Sequence, residues 1–326
     1  MKKNYLKLAT VLLAVSTVFA SCGGKKESKV GPNGELSGEI SLSGAFALYP
    51  LAVQWADEFQ KLHPGVKIDV SAGGAGKGVT DAIAGVVDFG MVSRELSDAE
   101  IQRGAVGFAV AKDAVVPTIN AKNPAINDLK KHGVKRDDLI ALWINGEKKT
   151  WGQLVASSDA TPVAVYTRSD ACGAAETWAL YLGKKQEDLR GTAVFGDPGL
   201  AAAIQKDVNG LGLNNIGYAY DTKTGKPNPG LAVAPIDVNN NGQIDPEEDF
   251  YDKKEGVVKA IIDGRYPSPP ARDLYFVSKG VPTDPVVIAF LQYILTDGQK
   301  ENGPQGYIGI PQDKLDAGLK KLGVKE

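Results

Sequence analysis

The chain has 326 residues, 43% of them hydrophobic and 23% charged, with 37 Lys and Arg against 39 Asp and Glu. A formal charge of −2 with no basic run argues against a nucleic-acid partner. Two cysteines are too few for a disulfide-stapled fold, and the length suits about two domains at roughly 150 residues each.

Lys2, Lys3 and Lys7 precede the apolar stretch Leu8–Val18, which is too short to span a bilayer as a mature helix. The following Phe19-Ala20-Ser21-Cys22 resembles a bacterial lipobox with Phe at the usual Leu position. That resemblance implies cleavage before Cys22 and lipid attached to its sulfur and N-terminus. The plainer alternative is an ordinary signal peptide with an incidental cysteine. Removing residues 1–21 takes three lysines and no acids, so the mature chain of 305 residues carries about −5. Residues 22–35 read as a polar tether, and no later stretch is long and apolar enough to cross a membrane.

Beyond the tether the pattern is mixed α/β. Glu39–Ser43 predicts a strand, Gly44–Ala47 a turn, and Tyr49–Leu62 an amphipathic helix with Ala52, Trp55, Ala56, Phe59 and Leu62 on one stripe. Val66–Ser71 is a second strand, Ala72–Gly78 a glycine-rich loop, and a helix begins near Val79. Val86–Val92 is a third strand ending at Ser93-Arg94-Glu95, and Ser97–Glu100 carries a capping-box pattern. Gly107–Asn120 is a long extended run suited to leaving one domain and entering the next. Helices are expected at Arg136–Leu142, Gly152–Ser157, Gly173–Leu182 and Pro198–Lys206, with a strand at Pro162–Tyr166. Leu274–Ser278 reads as a strand, Asp284–Leu295 as a buried helix and Gln312–Leu322 as a last amphipathic helix.

Successive strands separated by helices are usually parallel, so the loops after the first three strands share one sheet edge. Helix N-termini there present unpaired N–H groups and positive dipole ends, a natural cradle for a small anion.

From Ser43 to Pro311 the chain also resembles the substrate-binding proteins of bacterial phosphate ABC transporters. The matching pieces are Tyr49-Pro50-Leu51 with Trp55-Ala56, Gly73–Gly76, Val87–Met91 leading into Ser93–Leu96, and Arg168-Ser169-Asp170. Ile216-Gly217-Tyr218, Arg272–Tyr275 and Gly306–Pro311 complete the set. The resemblance implies an α/β, two-lobed periplasmic-binding-protein fold (type II), with mixed sheets, helices on both faces and two hinge crossovers. Residues 36–113 with 274–326 would form one lobe and 114–273 the other, with crossings near Val115–Asn120 and Ser268–Asp273. It further implies a monomeric binding protein that carries an oxyanion to an ABC permease in the inner membrane.

On that frame the ligand contacts would be backbone N–H groups of Phe46, Ala47, Gly74, Ala75, Gly76, Lys77, Cys172, Gly173 and Ala174. Ser93 ends the third strand, Arg168 offers a planar fork oriented by Asp170, and Lys77 and Arg94 would add charge. The hydroxyls usual in the family are missing, because Ala45, Ala47, Ala75, Cys172 and Ala174 occupy their positions. A carboxylate found after the third strand in some members is replaced by Ser93 or Arg94. These departures point to "anion" more firmly than to "phosphate", and they leave a non-transport sensing protein as the alternative. A Cys172-dependent hydrolase is a weaker one, since His63 and His132 show no motif linking them to that thiol.

Asp237–Glu248 matches a whole calcium-loop pattern, D-x-[DN]-x-[DN]-G-x5-E. Asp237, Asn239, Asn241, Asp245 and Glu248 would supply side-chain oxygens and Gln243 its carbonyl, with Gly242 at the sharp turn. The plain alternative is an Asn/Asp/Gly-rich turn that binds nothing.

Overall fold

The computed structural model describes residues 28–147 and 149–323, so the proposed signal segment and Cys22 lie outside the described residues. The first part of the chain runs β1 (Lys29–Val30), β2 (Leu36–Gly44), α1 (Tyr49–Leu62), β3 (Gly65–Ala72), α2 (Ala75–Ala84), β4 (Phe89–Val92), α3 (Asp98–Gln102) and β5 (Ala105–Asn120). The middle opens with α4 (Ile126–His132), β6 (Val134–Lys135), α5 (Arg136–Ile140), α6 (Trp151–Val155), β7 (Ala164–Arg168), α7 (Gly173–Tyr181) and β8 (Thr192–Val194). It continues with α8 (Gly196–Lys206), β9 (Gly210–Asn215), α9 (Ile216–Ala219), β10 (Leu231–Val233), β11 (Ile236–Asp237) and α10 (Lys254–Ile262). The chain then returns through β12 (Ala271–Lys279), α11 (Pro285–Leu295) and α12 (Gln312–Lys321).

One curled sheet of ten strands runs through the molecule in the order β1-β2-β4-β12-β5-β9-β7-β8, with β3 on β2 and β10 on β5. β2 is parallel to both β3 and β4, so the ends of all three point to one edge. The 16-residue β5 joins the lobes. Its Ala105–Ala114 portion pairs antiparallel with β12, and Val115–Ile119 pairs with β9.

Two apolar cores flank this junction. Trp55, Phe59, Phe89, Phe276 and Phe290 belong to the first, and Trp143, Trp151, Trp178, Tyr220 and Tyr266 to the second. Ala52, Trp55, Ala56 and Phe59 of the α1 stripe are buried in the first core, with Trp55 edge-on to Phe276 at 5.8 Å and its indole N–H donating to Gly298 O at 2.8 Å, whereas Leu62, expected on the same stripe, is exposed at the helix end. Burying a side chain such as Phe59 stabilises by roughly 1.5–3 kcal/mol.

Several expected boundaries shift. The tether is shorter than 22–35, because Lys29–Val30 pairs with Leu36–Ser37. Helix α2 starts at Ala75, not Val79, because Gly74 at φ 91° takes the N-cap conformation that other residues resist. Ala75, Gly76 and Lys77 are thus its first turn. The third strand is only Phe89–Val92, and the helix expected over Arg136–Leu142 stops at Ile140 and continues as a π-turn, Ala141–Asn145. Ile308, placed by sequence with the first lobe, packs in the second core while bridging Lys112.

The buried helix α11 is capped by Asp284, whose carboxylate accepts from Val286 N (2.9 Å) and Val287 N (3.2 Å). Asp284→Ala should lower stability to urea unfolding by about 1 kcal/mol, leaving ligand affinity unchanged.

Candidate functional site: an interlobe anion cradle

The loops expected to hold an anion meet between the lobes. Gly76 N donates to Ala171 O at 3.2 Å, joining the α2 N-terminus to the loop before α7. Gly173 faces Ser93 so closely that a methyl group on it would lie 2.2 Å from Ser93 O. Phe46 reaches the second lobe, edge-on to Phe195 at 5.8 Å and 5.7 Å from the Arg168 guanidinium. Tyr218 OH donates to Phe46 O (3.1 Å) and Tyr307 OH to Ala47 O (2.7 Å), which fixes the first loop from both sides. A cavity of ≈ 480 Å³ opens beside this junction, lined by Gly76, Arg94, Arg168, Cys172, Glu176 and Gln186 among others.

Local rules explain the donors. Small residues at Ala45, Ala47, Gly73–Gly76 and Cys172–Ala174 let backbone approach backbone, and the first N–H groups of a helix have no partner within it. Among the described residues, the amides of Phe46, Ala75, Gly173 and Ala174 have no backbone acceptor outside regular elements, whereas three other expected donors are taken: Gly74 N donates to Gly44 O (2.9 Å), Gly76 N to Ala171 O and Cys172 N to Gln186 Oε1 (3.1 Å). Ala175 N donates to Cys172 Sγ at 3.5 Å, so the thiol acts as a helix cap where a serine hydroxyl could stand.

The charged groups are more fully engaged than the sequence suggests. Arg168 is buried and ligated by two carboxylates. Nε and Nη2 donate to Asp170 at 2.9 and 2.6 Å, and Nη1 donates to Asp197 at 2.6 Å. Burial opposes the guanidinium charge, but Asp197 and Asp170 together hold its pKa above the ordinary value. Arg94 lines the cavity with its fork turned to Glu100 (2.9 and 2.8 Å). Although burial resists it, that contact holds the Glu100 carboxyl down to about 2. Lys77 is exposed and pairs with Asp81 on its own helix, and Asp81 also accepts from Ser43 Oγ at 2.6 Å. Each of these cations therefore carries a carboxylate of its own, and the open donors are neutral dipoles.

Cys172 is buried, and burial pushes its thiol up to about 12, the opposite of an activated nucleophile. His63 packs on Phe59 at 4.5 Å, and His132 Nδ1 contacts Gly242 O at 2.8 Å, so both histidines are engaged elsewhere. Asp197, Asn215 and Asp113 are absent from the sequence reading, and Arg272 enters it only as part of a matching segment, with no role at the site. Asp197 lies in the first turn of α8 beside Pro198, an acidic helix-start context that could have flagged it. The others lie in strands, and their partners become visible only once the strands are paired.

A family model described as a PBP superfamily domain matches residues 30–298. The chain belongs to that superfamily. The phosphate-binding protein PstS of Staphylococcus haemolyticus is 24% identical over 98% of this chain and 97% of its own length. PstS of Pseudomonas aeruginosa is 28% identical over 89% and 88%. In structure, the chain is similar to a candidate phosphate ABC transporter substrate-binding protein from Clostridium perfringens, solved with bound phosphate. The TM-score is 0.68 at 20% identity, covering 84% of this chain and 100% of the other. An ABC-type phosphate transport receptor from Vibrio cholerae gives 0.59 at 18% identity, covering 83% and 100%. The two-lobed binding-protein fold is therefore that of this chain.

Gly173→Ala should wedge the lobes apart at Ser93 and weaken anion binding at least tenfold. Calorimetric titration read against the melting curve of the ligand-free protein checks this, because ligand-free stability should barely change.

Proposed function

We propose that this protein binds phosphate or a related tetrahedral oxyanion between its lobes and delivers it to the permease of an ABC importer. The observation that carries the reading is the convergence of Phe46, Ala75, Ser93 and Gly173 with Arg168 at one interlobe junction. Full-length similarity to proteins named for phosphate binding supports the choice of anion. A hydrogen bond to a charged group contributes about 1.5–3 kcal/mol, so four or five amides reach the ~8 kcal/mol of micromolar binding. Recognition by neutral donors is consistent with an arginine already held by two acids. The proposed lipid on Cys22 would keep the mature protein at the membrane surface. None of the described helices is long and apolar enough to cross a membrane.

Titration of the purified protein with phosphate, sulfate, arsenate, molybdate and tungstate tests the ligand. Phosphate is expected to saturate in the micromolar range, on the order of the affinity above, and an absence of heat from every one of the five would overturn the reading. A sensing role without transport is favoured by one feature, the replacement of hydroxyls by Ala45, Ala47, Ala75, Cys172 and Ala174. Phosphate uptake that is unchanged on deletion of the gene would select it.

We also propose calcium as a structural cofactor of the 237–248 loop. Asp237 is fully buried and its carboxylate accepts from Asn241 N (3.1 Å) and Gly242 N (2.7 Å), while Gly242 takes φ 85°. Glu248, also buried, accepts from Val238 N at 2.8 Å and Asn239 N at 3.2 Å. Neither acid forms a salt bridge among the described residues. Asn239 and Asn241 turn their Nδ2 groups to Asp245 Oδ2 (2.8 and 2.7 Å). Among the described residues no three His, Cys, Asp or Glu side chains are grouped to hold a metal alone, so the amide and carbonyl oxygens would have to take part. With three carboxylates the affinity falls on the order of 10⁻⁴–10⁻³ M. On chelator-stripped protein, 10 mM calcium should raise the melting temperature by about 2–4 °C. Asp237→Asn should abolish that rise, and a melting curve indifferent to calcium would dismiss the site.

A further inference from the structure

Where the chain crosses between lobes, consecutive residues of β12 are anchored in opposite directions. Asp273 pairs with Lys314 of the first lobe. Arg272 turns to the second, where Nη1 donates to Gly173 O and, at 3.2 Å, to Thr177 Oγ1, and Nη2 donates to Asn215 Oδ1. Gly173 is the first residue of α7 and one wall of the cradle, and Asn215 N donates to Asp197 Oδ1 at 3.1 Å. Asp197 in turn ligates Arg168. One guanidinium thus ties the hinge to both the α7 N-terminus and the Arg168 cluster.

Its counter-charge comes from the other crossing strand. Asp113 of β5 stands in register with Arg272, its Oδ2 3.6 Å from Nη2. Asp113 is 1% exposed, and among the described residues neither of its oxygens accepts a hydrogen bond. Arg272 Nε is likewise buried without a partner. A carboxylate held this way, beside a single guanidinium and close to an anion site, is a poor place for a fixed negative charge.

We propose that Arg272 is a positioning residue for the anion cradle, and that Asp113 is its switchable counter-ion, so that anion affinity depends on whether Asp113 carries a charge. The proposal rests on the anion-binding reading above and adds to it a group that sets how tightly the anion is held. Burial pushes the Asp113 carboxyl up to about 7, with Arg272 opposing, so the switch lies near neutrality. An anion arriving near Asp113 favours its protonated form, so binding takes up a proton and weakens as pH rises through that value.

Other charges face Asp113 from every element around it. They are Arg272 on β12, Asp197 on α8, Tyr218 on α9, Tyr266 before β12, Tyr307 before α12, and Lys254 on α10. Burial raises all three tyrosines above 10, out of the working range, and it lowers Lys254, which calls for a control.

The experiment measures phosphate affinity of the full mature chain and its Asp113→Asn variant from pH 5.5 to 8.5. Taking the ratio of the two dissociation constants cancels the titration of phosphate itself. The ratio of wild type to variant should be near 1 at pH 5.5 and rise to roughly three- to tenfold at pH 8.5, and Lys254→Gln should leave that rise in place. Arg272→Lys keeps the charge but not the fork, and should weaken binding at least tenfold at every pH. A flat ratio, or loss of the rise in Lys254→Gln, would overturn the role of Asp113. An Arg272→Lys variant with lowered melting temperature and wild-type affinity would overturn the positioning role. Wild type that binds none of phosphate, sulfate, arsenate, molybdate and tungstate would instead defeat the anion reading itself, and if another of the five binds in place of phosphate it serves as the probe.

Discussion

The pairing of β5 with β12 is the constraint on which the rest depends. Both strands pass between the lobes, and their hydrogen bonds run from Ala271 opposite Ala114 to Lys279 opposite Ala105. Each lobe has its own apolar core, so each could hold its shape alone, but their relative placement rests on this ribbon and on contacts across the cleft. A two-stranded link is stiff along the strands and compliant in bending. That mechanical character suits the proposed capture of a solute between the lobes, and the Asp113–Arg272 pair lies within this ribbon at the crossing.

Charge is distributed in an unusual way around the cleft. Arg168 faces two acids, Arg94 faces Glu100, and Lys77 faces Asp81. An anion entering this region gains little from long-range attraction. In the binding mode proposed above it gains instead from amide dipoles at close range, which need no counter-charge and cost little reorganisation because the helices already hold them in place. In that binding mode alanines replace the hydroxyl residues of the loops without removing the donors. What remains is backbone, and small side chains allow the approach.

Much of the architecture was legible in the sequence because its signals are local. The Trp55 stripe predicted α1, the Ser97–Glu100 box formed as expected, and Asp284–Leu295 is a helix of almost the anticipated bounds. Errors fell where a tertiary contact overrides a local preference. Ala75–Lys77 joined α2 because Gly74 could adopt a positive φ beside Ala171. Lys29–Val30 became a strand because β2 offered an edge to pair with.

The site divides along the same line. The loops are readable locally, since small residues at helix starts and an Arg-x-Asp pair show in spacing and chemistry within a few residues. Which charges remain available follows from the folded arrangement alone, because Arg168 meets Asp197 across 29 positions, and Arg272 meets Asp113 across paired strands 159 positions apart. Ionic partners are chosen by proximity in space and by the loss of water around them. Neither quantity is encoded in any short stretch of chain.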